Sequence, residues 1–207
     1  MIRLTNYLTI GRKGKIILKI SDGIKKLQKE IFDVLPSNYL LMNGKIEIPL
    51  KFFVGSCCEG MSELFSYSMD KRIERHEIDM IGFMDRKPIF ASEFKCTFSY
   101  DRPDTKKTVK RASEQILKTL EIERLKDSKK YIVHFLNHSI GVNKSSLNPR
   151  WIKEKYPKGE KYEANELVKL YDEELDDKKK NDEIITFSFE HPDLGLDAIL
   201  IEVDNTK

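Results

Sequence analysis

The stretch that decides the fold runs from residue 76 to residue 96 and consists of HEIDMIGFMDRKPIFASEFKC. It contains two largely apolar runs, 77–84 and 88–96, separated by the polar residues Asp85-Arg86-Lys87. Apolar runs of this length on either side of a short polar turn are typical of two neighbouring strands. The stretch therefore predicts a β-hairpin that carries acidic side chains on both strands.

The register of this hairpin decides whether its charged residues meet. Strand side chains alternate between faces, so Glu77 and Asp79 share one face, as do Glu93 and Lys95. With the three-residue loop, residue 84 lies opposite residue 88, and Asp79 then lies opposite Glu93 and Glu77 opposite Lys95. A two-residue loop would send these groups to opposite faces. The predicted cluster therefore requires an odd loop length or a bulge.

The segment that follows the hairpin predicts how the sheet continues. A long helix is expected over about 106–126, with Val109, Ala112, Ile116 and Leu120 facing inward. The almost unbroken apolar run 131–136 is typical of a strand covered on both faces. A strand that returns beside its predecessor through a helix runs parallel to it. The order strand, strand, helix, strand thus predicts an α/β fold whose central mixed sheet is flanked by helices.

Both ends of the chain predict additional strands. At the N-terminal end we expect a strand over 13–20, a helix beginning near Ser21 or Asp22, and a hairpin formed by 39–42 and 45–54 around Asn43-Gly44. A capping box at Ser56–Glu59 predicts a second helix, continued by Met61, Leu64, Phe65 and Met69. At the C-terminal end the sequence predicts a helix over 163–175, a solvated charge run over 176–183, and strands over 184–190 and 196–203.

The bulk composition is that of an ordinary globular protein. The chain has 207 residues, a formal net charge of +3 and 34% charged residues, and it contains no apolar run long enough to span a bilayer. Its three cysteines lack the spacing of a zinc site and are expected to be reduced and mostly buried. We therefore expect a cytoplasmic protein that forms one domain over 1–207, with a motif core at about 56–138 and a C-terminal elaboration at about 139–207.

The clustered acids and lysine suggest metal chemistry. Carboxylates that face each other repel, and a hard divalent cation such as Mg²⁺ relieves that repulsion with only one or two carboxylates. Such an ion lowers the pKa of a bound water and stabilises charge on phosphoryl oxygens. The alternative is a solvent-facing hairpin in which Glu77 and Lys95 form a cross-strand salt bridge.

The two segments Glu77–Gly82 and Ala91–Lys95 resemble the motif of the PD-(D/E)XK, or restriction-endonuclease-like, nuclease superfamily. The resemblance covers about 56–138, and Ile78 stands where the family has proline. It implies a restriction-endonuclease-like core, DNA as substrate, and Mg²⁺ or Mn²⁺ held by Asp79, Glu93 and the carbonyl of Phe94. It also implies that Lys95 assists the attacking water and that Glu77 is a further catalytic residue.

Further candidates depend on the same resemblance. Glu63 is a candidate metal ligand on the expected helix, although a solvated position is equally compatible, and Glu59 fits its capping box better. Candidate nucleic-acid contacts are Lys106, Lys107, Lys110, Arg111, Gln115, Arg150, Trp151 and Lys153. Their alternatives are the exposed face of an amphipathic helix and a proline-interrupted loop with one buried tryptophan. His134 is expected to be a hydrogen-bonded core histidine.

These observations predict a DNA-cleaving endonuclease. Cutting both strands of a duplex suits a two-fold homodimer, and activity that depends on a partner subunit is a second possibility. The alternative from another class is a non-catalytic nucleic-acid-binding subunit that keeps the nuclease fold. No membrane partner is expected.

Overall fold

The computed structural model describes residues 19–33, 46–139, 161–190 and 194–204. The helices are α1 (Ile20–Leu27, extended by a π-helical turn Gln28–Phe32), α2 (Glu47–Glu59), α3 (Arg102–Leu120) and α4 (Ala164–Leu175). The strands are β1 (Phe65–Ile73), β2 (His76–Met84), β3 (Lys87–Phe98), β4 (Lys129–Asn137), β5 (Lys179–Phe187) and β6 (Leu196–Val203). Short 3₁₀ turns cover Glu123–Leu125 and Asp176–Lys178.

The six strands form one mixed sheet in the order β1-β2-β3-β4-β6-β5. β3 pairs antiparallel with β2 and parallel with β4, and α3 makes the connection between β3 and β4. The remaining neighbours pair antiparallel. The α/β class and the mixed sheet predicted from the strand, strand, helix, strand order are therefore confirmed.

Helices cover both faces of the sheet. On β4, Tyr131, Val133 and Phe135 pack in the cluster that contains the buried residues of α1 and α2. Ile132 and Leu136, which alternate with them, pack in the cluster formed by α3 and α4. The apolar run 131–136 thus belongs to a strand buried on both faces, as predicted. No helix in the described ranges is long and apolar enough to cross a membrane.

The strand predicted over 45–54 is wrong, because Glu47–Glu59 form α2. Ile46, Leu50 and Val54 recur every four residues and are at most 2% exposed, so the helical period determines the element. Pro49 is the third residue of the helix, where its missing N–H leaves no intrahelical bond unmade. The other half of the predicted hairpin, 39–45 with Asn43-Gly44, lies outside the described residues.

The helix predicted to start at Ser56 is also wrong. Ser56 lies inside α2, which ends at Glu59, and residues 65–73 form β1. Pairing with β2 in the register Phe65–Met84 decides this segment, since the strand ladder satisfies its backbone groups.

Close backbone approach holds α2 against its neighbours. A Cβ atom on Gly23 of α1 would lie 2.3 Å from the sulfur of Cys58, and one on Gly55 would lie 2.6 Å from the ring of Tyr67 on β1. Both glycines therefore let α2 pack tightly against α1 and against the edge of the sheet. This placement fixes which α2 side chains reach β2 and β3.

The two ends of the chain correct three further boundaries. The predicted strand 13–20 lies outside the described residues up to 18, and Ile20 begins α1 with Lys19, not Ser21 or Asp22, as the N-cap. The predicted loop 176–183 is wrong over its second half, because β5 starts at Lys179 and pairs with β6. The predicted helix 106–126 corresponds to α3, but α3 begins earlier, at Arg102, and ends earlier, at Leu120. The predicted helix 163–175 corresponds to α4, and the predicted inward stripe of α3 is buried.

Candidate active site

The hairpin between β2 and β3 reaches the predicted register by a different route. Its loop has two residues, Asp85 and Arg86, both with positive φ, and Met84 pairs with Lys87 rather than with residue 88. The predicted three-residue loop is therefore wrong. A bulge between Gly82 and Phe83 then shifts the ladder by one residue, so that Met80 pairs with Ser92. Continued by one residue, this register brings Asp79 level with Glu93.

Beyond the Met80–Ser92 pair, acidic side chains replace the strand ladder. The N–H of Phe94 donates to Oδ2 of Asp79 at 2.8 Å. The N–H of Cys96 donates to Oε2 of Glu47, from α2, at 3.2 Å. β2 and β3 thus separate at this point, and two carboxylates satisfy the backbone donors that the separation exposes.

Lys95 joins the two motif acids. Its Nζ lies 3.3 Å from Oδ2 of Asp79 and 3.5 Å from Oε2 of Glu93, and it donates to the carbonyl oxygen of Phe94 at 2.9 Å. The Lys95 side chain is 13% exposed and that of Asp79 is 17% exposed, so this group remains open to solvent on one side. The structure therefore brings Asp79, Glu93, Lys95 and the Phe94 carbonyl together, as the resemblance implied.

A second lysine approaches Asp79 from the other side. Lys51 of α2 is 3% exposed, and its Nζ contacts a carboxylate oxygen of Asp70 and lies 3.4 Å from Oδ1 of Asp79. Asp70 has a φ of 49° and interrupts the β1–β2 ladder between the Met69–Met80 and Lys71–Ile78 pairs. A row of alternating charge therefore crosses three strands: Asp70, Lys51, Asp79, Lys95 and Glu93.

The two motif acids differ in their pKa. Burial and the charge of Asp79 together raise the pKa of Glu93 to about 8, although the charge of Lys95 acts to lower it. Burial also acts to raise the pKa of Asp79, but Lys95, the N–H of Phe94 and Lys51 outweigh it, and the pKa falls below its ordinary value. Burial and Asp79 raise the pKa of Glu47 as well. The site thus holds one firmly ionised carboxylate beside acids that resist ionisation.

Glu93 carries the observation that fits a cation best. The residue is 1% exposed, and its Oε1 is buried with no hydrogen-bond partner. A buried, unpaired carboxylate oxygen is costly unless a cation or a proton compensates it. No group of three or more His, Cys, Asp or Glu side chains in the described residues could hold a metal ion. Asp79, Glu93 and the Phe94 carbonyl are a smaller set of oxygen donors, of the size that Mg²⁺ uses when water and substrate oxygens complete its coordination.

Two predicted acids lie away from this group. Glu77 is exposed on β2 and pairs with Arg72 of β1, and none of the described contacts joins it to Lys95. Glu63 is exposed in the turn before β1, next to Leu64, whose carbonyl accepts from Asp85. That places Glu63 at the hairpin-loop end of β2, roughly 17 Å along the strand from Asp79. Glu59 is exposed at the end of α2.

The predicted nucleic-acid contacts divide into two groups. The first lies on α3, where Lys106, Lys107, Lys110 and Arg111 are exposed and Gln115 is half-buried. The second group, Arg150, Trp151 and Lys153, lies outside the described residues.

Three residues near the site have packing roles, and for His134 this confirms the core histidine predicted from the sequence. Ser92 is fully buried and Cys96 packs against the α1–α2 side. His134 is fully buried and bonds Thr97 and Tyr171, each at 2.8 Å.

Sequence reasoning missed three members of the site: Glu47, Lys51 and Asp70. Glu47 and Lys51 are four residues apart and alternate with the buried stripe of α2. The helical spacing of Ile46, Leu50 and Val54 was the signal that could have placed them on one helix. Asp70 gave no such signal, because its role depends on lying level with Asp79 on the next strand.

Comparisons with known protein families, with curated proteins and with solved structures found no match to this chain.

Proposed function

We propose that this protein is a metal-dependent endonuclease that hydrolyses DNA phosphodiester bonds at the gap between β2 and β3, with a restriction-endonuclease-like core. The buried, unpaired Oε1 of Glu93 beside the ionised Asp79 carries the proposal. A buried carboxylate oxygen without a hydrogen-bond partner is costly, and a cation bound between Glu93 and Asp79 would compensate that cost. The motif acids, the adjacent lysine and the carbonyl between them supply the remaining support.

Asp79, Glu93 and the carbonyl of Phe94 are the groups that would hold Mg²⁺ or Mn²⁺. Such an ion supplies an acidified water and stabilises charge that develops on the phosphoryl oxygens. Glu93, whose pKa is raised to about 8, would lose its proton as the cation binds, because the cation's charge favours the carboxylate.

The chain's own groups position the reactants. Lys95 can turn its ammonium from the Phe94 carbonyl toward a phosphate oxygen or the attacking water, since its side chain is partly exposed to solvent. Attack by water on phosphorus breaks one P–O bond of the backbone, and the leaving oxygen takes up a proton. Glu47, held by the N–H of Cys96, adds negative charge beside Asp79 and can assist in holding the water.

The exposed lysines and arginine of α3 are the proposed DNA-backbone contacts, because phosphate binding relies on such cations. Cleavage of both strands would require two copies of the site, which suits a homodimer or a partner subunit.

Cleavage assays test the proposal directly. Plasmid, linear, branched and single-stranded DNA are incubated with the protein in Mg²⁺, Mn²⁺ or EDTA. We expect metal-dependent cutting that falls by at least about 10²-fold in Asp79→Asn and in Lys95→Met. Glu77→Gln is the matched control, since Glu77 lies on the same strand two residues from Asp79 but is exposed.

Cutting that persists in EDTA, or that survives Asp79→Asn, would contradict the proposal. If no substrate is cleaved but the protein binds Mn²⁺, and Asp79→Asn removes that binding, the partner-dependent subunit is favoured. If no substrate is cleaved and no Mn²⁺ binds, the non-catalytic alternative is favoured, and a gel-shift assay should then detect DNA binding.

A further inference from the structure

Lys51 is a buried ammonium placed between two carboxylates of neighbouring strands. Its side chain is 4% exposed and contacts Asp70 on β1 and Asp79 on β2. Burying a lysine is costly unless anions compensate its charge, and here two do so. These two ion pairs hold the ammonium of Lys51 between β1 and β2.

The position of the ammonium corresponds to that of a bridging cation. Where two divalent cations lie about 4 Å apart, they share a carboxylate, and a further carboxylate holds the second ion. Asp79 is in the place of the shared carboxylate here, and Asp70 is in the place of the further one. Here Nζ of Lys51 lies between Asp70 and Asp79, and Nζ of Lys95 lies near both Asp79 and Glu93.

The two lysines differ in the freedom of their side chains. Lys95 is attached to β3 beside the opening and can move toward solvent, with its side chain 13% exposed. Lys51 is attached to α2, and Gly55, one turn further along that helix, packs against Tyr67 of β1. The side chain of Lys51 is 4% exposed and is therefore more enclosed than that of Lys95.

We propose that the ammonium of Lys51 permanently fills the place of a second cation between Asp70 and Asp79, so that the site takes no divalent ion there. The proposal deepens the proposed nuclease function, since it implies one divalent ion per chain. It makes Lys51 a positioning residue that fixes Oδ1 of Asp79 and directs Oδ2 toward the Phe94 N–H.

Counting bound Mn²⁺ tests the inference. Titration calorimetry and the electron paramagnetic resonance signal of free Mn²⁺ give the number of ions per chain. We expect one ion in the wild type and one additional ion in Lys51→Met, because methionine keeps the volume and removes the charge. Lys51→Arg is the conservative variant and should bind the same number as the wild type.

A double variant locates the additional ion. Lys51→Met combined with Asp70→Asn should return to the wild-type count, because one carboxylate of the pair is lost. Asp70→Asn alone should also keep the wild-type count, since Lys51 still fills the space. Circular dichroism and thermal melting establish that each variant is folded.

The outcomes separate this inference from the proposed function. A wild type that binds two ions, or a folded Lys51→Met with no additional ion, overturns the inference, and the first result does so even if Lys51→Met fails to fold. A wild type that binds none while Lys51→Met binds one supports the inference and overturns the metal site proposed at Glu93.

Discussion

The two edges of β3 satisfy their backbone groups in different ways. Toward β4, the strand pairs without interruption from Phe90 to Phe98. Toward β2, the ladder ends at Ser92, and the carboxylates of Asp79 and Glu47 accept the N–H groups of Phe94 and Cys96. We call the first the closed edge and the second the open edge.

The polar groups beside these edges differ accordingly. At the closed edge, His134 is fully buried and neutral, and each ring nitrogen has one partner. At the open edge, charged groups surround Oε1 of Glu93, which has no hydrogen-bond partner. A satisfied network adds rigidity, whereas an unsatisfied one is retained at a cost in stability that a ligand can repay. The comparison teaches that one strand can carry both a structural network and a candidate site.

The largest expected effect is at the closed edge. His134→Ala should lower the free energy of unfolding by about 3 kcal/mol, because it leaves a cavity and two buried hydroxyl groups without a partner. Urea unfolding followed by circular dichroism measures the change. His76→Ala, at the partly exposed start of β2, is the control and should stay within about 0.5 kcal/mol of the wild type. If His134→Ala were as stable as that control, the hydrogen bonds of His134 at the closed edge would have no structural role.

The same histidine predicts an acid dependence. Burial, together with the charge of Lys95, lowers the pKa of His134 to about 3, from an ordinary value of 6.5. Below pH 6.5 the unfolded chain therefore binds a proton that the folded chain refuses. The stability that neutral His134 contributes is complete above that pH and is lost as the pH falls toward 3, by up to about 1.4 kcal/mol per pH unit. The stability difference between the wild type and His134→Gln should narrow over this range.

An intermediate effect is expected where α2 is held against β1. Gly55→Ala places a methyl group against the ring of Tyr67 and should lower the free energy of unfolding by about 2 kcal/mol. Because α2 carries Glu47 and Lys51, the same change should weaken Mn²⁺ binding at the open edge. Gly60→Ala is the control, since its nearest atoms lie at 3.6 Å or more. Removing the ring with Tyr67→Ala should relieve the clash. A double variant that is no more stable than Gly55→Ala would therefore show that the clash with Tyr67 is not the cause of the lost stability.

The smallest expected effect has the opposite sign and lies at the open edge. The pKa of Glu93 is raised from 4.5 to about 8, so the folded chain holds a proton that the unfolded chain releases. Stability from this group is complete below pH 4.5 and is lost as the pH rises toward 8. In EDTA at pH 8, Glu93→Gln should therefore be more stable than the wild type by about 1–2 kcal/mol. Thermal melting from pH 5 to pH 9 measures the growing difference.

Glu77→Gln, an exposed change on the neighbouring strand, is the control for that measurement and should leave the melting temperature unchanged. Added Mn²⁺ should stabilise the wild type and not Glu93→Gln, since only the wild type offers both carboxylates. A Glu93→Gln variant that is less stable than the wild type at every pH would show that the ionised Glu93 carboxylate does not destabilise the folded chain.

Much of the sheet could be predicted because its signals are local. The apolar runs of β2, β3 and β4, the stripe of α3 and the final pair of strands each follow from residues close in sequence. The hairpin register of Asp79 and Glu93 was predicted with the wrong loop. Its two-residue turn and the bulge at Gly82–Phe83 together give the same offset as a three-residue loop.

The sequence by itself determined the α/β class and the candidate set of Asp79, Glu93 and Lys95, since strand order and the motif depend on neighbouring residues. The bulge at Gly82–Phe83 is what brings Asp79 level with Glu93. Only the tertiary structure decided that Glu47 and Lys51 of α2 reach the open edge, and that Asp70 lies level with Asp79. These contacts join segments 19 to 49 residues apart, and their formation depends on the packing of α2 against α1 and β1. No periodicity within a single element carries that information, because long-range packing overrides local preference.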